Sequence, residues 1–113
     1  MKIPNFQNAV VSERKLVRYL MSVSHPHGRH KAVFFGAFGF FAANWQDLAE
    51  ALLKHAAEHE VTRVEESPFG IRYIVEGNLV APNGRTPLIR AVWFIETGQQ
   101  VARFVTAYPL EKP

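Results

Sequence analysis

The chain contains no cysteine. That absence alone excludes disulfides, iron–sulfur clusters, thiolate zinc sites and cysteine nucleophiles, and it fits a reducing, cytoplasmic setting. A long apolar run is also missing. The longest, AVFFGAFGFFAA (32–43), falls well short of the ~20 residues a helix needs to cross a bilayer. The opening MKIPNFQNAVVSERK has no apolar signal core, because Pro4, Asn5, Gln7 and Asn8 interrupt it. No membrane partner is expected. There is no phosphate-binding P-loop, no dinucleotide glycine fingerprint and no nucleophile elbow. The glycines of GAFGFFA (36–42) sit among phenylalanines, which suits core packing better than a cofactor loop. No repeat, low-complexity tract or linker interrupts the 113 residues, so one domain over 1–113 is expected.

What is present is apolar and aromatic. Hydrophobic residues make up 48% and nine residues are Phe, enough for a ring-rich core. The net charge of +3 is a mild basic bias, compatible with a phosphate-bearing partner without requiring one.

The first half carries helical signals. Ser12 is placed to cap a helix, with Glu13 in its first turn and Leu16, Tyr19 and Leu20 as its apolar stripe. Pro26 and Gly28 end it. A second helix is predicted from about His30, carrying Ala32, Phe34, Phe35 and Phe38, with Gly39 as a left-handed cap. A third is capped by Asn44 and runs to about Glu58, with Leu48, Ala51, Leu52 and His55 on one face. The second half changes to strand periodicity. Strands are predicted over 60–66, 70–80, 87–96 and 101–108, with Asn83-Gly84 as a tight hairpin signal. The fold class expected is α+β, with N-terminal helices packed on a three- to four-stranded antiparallel sheet.

Three constellations carry chemistry. SHPHGRHKA (24–32) supplies His25, His27 and His30. Pro26 and Gly28 deny them helical spacing, and no carboxylate is adjacent, which weighs against a metal. An anion is better suited: Arg29, His30 and Lys31 would stand at a helix start, where backbone N–H groups and the dipole favour negative charge. A plain basic loop is the competing account. HAAEH (55–59) matches the inverted zinc-hydrolase pattern through His55, Glu58 and His59, but it lies on the last turn of a helix before a strand. Packing of His55 at the core edge, with His59 exposed, is the expected reading of these residues. Finally, Arg72, Arg90, Arg103, Thr106 and Tyr108 stud apolar strands. A three-residue loop at 97–99 puts Arg90 opposite Thr106 with Tyr108 on the same face; one residue more puts Arg90 and Thr106 on opposite faces.

The segments HPHGRHKAVFF (25–35), GIRYIVEG (70–77), VWFIE (92–96) and VTAYP (105–109) resemble an uncharacterised bacterial domain family, a domain of unknown function, across nearly the whole chain. More distantly, the layout is similar to the barnase–EndoU–colicin–RelE superfamily of small nucleases. That resemblance implies a metal-independent endoribonuclease without cofactor, of the kind found as toxins with a small cognate antitoxin-like partner. It carries over His30, Lys31, Thr106 and Tyr108 as catalytic residues. Arg29, Arg90 and His27 would hold the RNA phosphates, and an exposed Tyr73 would stack a base. His27 and His30 flank Gly28, and either one could supply the imidazole. A non-catalytic protein-binding module of the antitoxin or immunity type is the alternative, with a zinc hydrolase through His55 and His59 behind it.

Overall fold

The computed structural model describes residues 1–22, 24 and 29–110. His25 and His27, two of the imidazoles singled out above, lie outside them. Helix α1 spans Glu13–Lys15 and begins where Ser12 accepts a hydrogen bond from the Lys15 N–H at 3.1 Å. It continues as a wider π-helical turn over Leu16–Leu20, closed by the Met21 N–H on the Leu16 carbonyl at 2.8 Å. This turn buries Leu16 and Leu20 and leaves Tyr19 at the margin of the core. Helix α2 spans Arg29–Gly36 and buries Ala32 and Phe35. It stops three residues before Gly39, whose φ of 95° closes the following turn instead of capping the helix directly.

Helix α3 spans Trp45–Glu58 and buries Leu48, Ala49, Leu52, His55 and Ala56. Asn44 precedes it as expected, but its side chain faces backward. Its Oδ1 accepts from the Phe41 N–H at 2.7 Å, while Nδ2 donates to Asp47 at 3.0 Å and to the Gly39 carbonyl at 3.2 Å. It therefore ties the entering turn to the first turn of α3.

Four strands follow: β1 (Val61–Ser67), β2 (Gly70–Asn78), β3 (Leu88–Glu96) and β4 (Arg103–Pro109). They form one antiparallel sheet in the order β1-β2-β3-β4. Between β2 and β3, Gly84 alone takes a positive φ of 82°, and the Ala81 carbonyl accepts from the Gly84 N–H at 3.0 Å. The Asn83-Gly84 signal thus marks a turn through Pro82, Asn83 and Gly84, not a two-residue turn with both residues left-handed.

One sheet face and the helices share a core that includes Phe35, Phe40, Leu48, Leu52, Val75, Ile89 and Trp93. Tyr73 belongs to it and is 7% exposed, which corrects the expectation that it offers a free ring for stacking. Its partner across the sheet is Trp93, itself fully buried. Side chains alternate between faces, so residues directly opposite share a face, and this pair shares the helix-covered one.

The register between β3 and β4 places the outward residues. Phe94 pairs with Arg103 and Trp93 with Phe104, but Val92 then pairs with Thr106, leaving Val105 as a bulge. Strict alternation from Phe104 would turn Thr106 and Tyr108 toward the core. The extra residue reverses the parity. Ala107 is fully buried, and Thr106 and Tyr108 come to the same face as Val92 and Arg90. Arg90 stands opposite Tyr108, not opposite Thr106. The expected shared face exists, but the bulge, not a three-residue loop, produces it.

Candidate active site

Lys31 lies on the first turn of α2 and reaches the edge strand β4. Its Nζ donates to the Thr106 hydroxyl at 2.7 Å and to the Tyr19 hydroxyl at 3.0 Å. The same ammonium lies 5.2 Å from the centre of the Tyr19 ring and 5.6 Å from that of Tyr108. No carboxylate pairs with Lys31 among the described residues. Hydroxyls and rings keep the cation in place without cancelling its charge.

Arg90 extends the cluster across the sheet. It donates to the Tyr108 hydroxyl at 3.2 Å and, through Nε, to Glu76 at 2.7 Å. Those two bonds, with Tyr108 first, raise its pKa further above the ordinary arginine value. Tyr19 shifts the other way. The hydrogen bond from Lys31 lowers its pKa most, helped by Thr106 and the charges of Lys31 and Lys15, against a smaller opposing effect of burial. A hydrogen bond donated to a phenol stabilises the phenolate, so Tyr19 releases its proton more readily than an ordinary tyrosine.

The residues singled out in the sequence divide clearly. Lys31, Thr106, Tyr108 and Arg90 are brought together. His30 and Arg29 are exposed at the start of α2, beside Lys31. Tyr73 is buried elsewhere. Tyr19 is the residue that periodicity misses. It fits the apolar stripe of α1, and spacing cannot reveal that its hydroxyl meets a lysine twelve residues on.

The zinc-like pair packs between α3 and β2. His55 is 1% exposed and its Nε2–H donates to the Gly77 carbonyl at 3.1 Å. Its Nδ1 is buried without a partner. His59 stacks on it at 4.6 Å between ring centres and donates its own Nδ1–H to the His55 carbonyl at 2.9 Å. His59 is half-buried, not exposed. Three of the four ring nitrogens of the pair are thus hydrogen-bonded or enclosed. Among the described residues no group of three or more His, Cys, Asp or Glu is placed to hold a metal ion.

The architecture is that of an α+β protein with helices leading into an antiparallel four-stranded sheet. The sequence matches the family DUF6883, a domain of unknown function, over residues 2–111. The chain belongs to that family. No curated protein matches it. In three dimensions it is similar to a chain of a contact-dependent growth inhibition toxin–immunity protein complex from Klebsiella pneumoniae 342. The TM-score is 0.74 at 16% identity, covering 95% of this chain and 97% of that one. At that identity the likeness concerns the fold. Among the described residues no helix is long and apolar enough to cross a membrane.

Proposed function

We propose that this chain is a metal-independent endoribonuclease of the toxin type. One observation carries the proposal: the Lys31 ammonium is fixed between two hydroxyls, next to the Tyr108–Arg90 pair, with no carboxylate pairing with it among the described residues. A cation and several hydroxyls facing one place suit a phosphodiester, whose transition state gains negative charge.

In this scheme Tyr19, as phenolate, takes the proton of a ribose 2′-hydroxyl. The freed oxygen attacks the adjacent phosphorus. The bond from phosphorus to the 5′-oxygen breaks, and His30, as imidazolium, gives that oxygen a proton. The products are a 2′,3′-cyclic phosphate and a 5′-hydroxyl. Lys31 holds the phosphoryl oxygens, Thr106 and Tyr108 orient them, and Arg90 adds positive charge through Tyr108. Arg29, exposed at the head of α2, meets a neighbouring phosphate.

The test is incubation of the protein with single-stranded RNA in EDTA. Cleavage leaving 2′,3′-cyclic ends, abolished by Lys31→Ala and reduced by Tyr19→Phe and His30→Ala, is the expected result. Intact RNA at a large excess of protein would refute it. The similar chain comes from a complex of a toxin with its immunity protein, so the fold also suits an immunity-type binder. That second role predicts harmless expression and a stable complex with a cognate toxin, and no cleavage.

A further inference from the structure

Beside the Lys31 cluster runs an open groove of about 530 Å³, lined by Phe34, Phe38, Arg85, Pro87, Leu88 and Leu110, among others. Its position follows from the same periodicities that build the cluster. Phe34 is one helical turn beyond Lys31 on α2. On the sheet, Val92–Thr106 and Arg90–Tyr108 are successive outward pairs. The next is Leu88 with Leu110, joined by the Leu110 N–H on the Leu88 carbonyl at 3.0 Å. The groove is therefore the continuation of the site in one direction.

Its chemistry is aromatic and cationic. The Phe34 and Phe38 rings are tilted at 57° with centres 5.1 Å apart, and both are only partly buried. Arg85 is exposed on the far wall and has no ion pair among the described residues. Two aromatic rings beside a guanidinium with no ion pair among the described residues complement a nucleobase and its phosphate. The volume is also within the range of sites that hold molecules of this size.

We infer that this groove seats the nucleotide next to the scissile phosphate, its base against Phe34 and Phe38 and its outer phosphate on Arg85. The inference rests on the RNA-directed function proposed above, but it concerns binding, not cleavage. A fluorescent 2′-O-methyl single-stranded oligonucleotide separates the two, because it binds without being cut. Its affinity is read by anisotropy for wild type, Arg85→Ala, and Phe38→Leu. The last keeps apolar volume but removes the ring. Each variant is expected to bind about tenfold more weakly, Arg85→Ala with an unchanged melting temperature and Phe38→Leu with a cooperative melt only slightly lowered by the lost ring contact. Binding of this kind supports the groove even where RNA with free 2′-hydroxyls stays intact, an outcome that removes only the catalytic proposal. Full affinity in both variants overturns the inference even where RNA is cleaved. No binding by wild type overturns it as well.

Discussion

Among the described residues Lys31 shares its charge with no carboxylate, whereas Arg90 shares its own with Glu76. An incoming phosphate therefore gains more from Lys31. Lys31→Met should lower kcat/KM by roughly 100- to 1,000-fold, the usual loss for one electrostatic donor at a transition state. Lys31→Arg should recover only part, because a planar fork cannot sit between two hydroxyls as an ammonium does. Kinetics with a short RNA would measure both. His55 gives a prediction for stability instead. Burial, the largest effect, lowers its pKa from 6.5 to about 4, aided by the neighbouring His59 and opposed by the Gly77 carbonyl and Glu58. The unfolded chain takes up this proton near pH 6.5 and the folded chain only near 4. The contribution is complete above pH 6.5 and is lost on acidification toward pH 4. Its full size is on the order of 3 kcal/mol. Denaturant melts across that range should show the decline, and His55→Gln should flatten it.

At the level of elements, the tight connections constrain the sheet most. A Cβ on Gly70 would lie 2.3 Å from the Ile95 carbonyl, and its φ of 153° already disfavours a side chain. A Cβ on Gly77 would lie 2.2 Å from His59 Cδ2 and 2.6 Å from its Cγ, in a ring held by its hydrogen bond to the His55 carbonyl. Gly70→Ala and Gly77→Ala should therefore each destabilise by roughly 2–4 kcal/mol, as thermal melts would resolve. The elements themselves were legible in the sequence because hydrophobic periodicity reports burial directly. Ser12, Asn44 and Gly84 marked their ends by local backbone chemistry. What stayed hidden depends on register. Ile71, Tyr73 and Val75 alternate correctly, yet alternation does not say which face receives the helices, and Tyr73 went to the buried one. The bulge at Val105 has no sequence signature, since valine suits a regular strand equally well. That single residue decides whether Thr106 and Tyr108 meet Lys31 or enter the core.

Across the whole molecule, a net charge of +3 gives only weak general attraction for nucleic acid, so affinity must come from a few local contacts. The site residues come from opposite ends of the chain: Tyr19 and Lys31 from the helices, Thr106 and Tyr108 from the last strand. Only the assembled fold brings them together, which is why Lys31 was identifiable by resemblance while its contact with Tyr19 was not. Counting charges then predicts the salt response. Arg90 is largely compensated by Glu76, leaving Lys31 and Arg85 as cations without an ion pair among the described residues, with Lys15 farther off beside the Tyr19 ring. Each phosphate neutralised on a single strand contributes about −0.7 to the slope of log affinity against log salt. The 2′-O-methyl oligonucleotide should thus show a slope near −1.4, with Arg29 able to add one further contact. Arg85→Ala should reduce the magnitude by about 0.7. Glu76→Gln should act oppositely, steepening the slope by releasing Arg90. A slope unchanged in all three proteins would mean that phosphate contacts lie elsewhere on the surface.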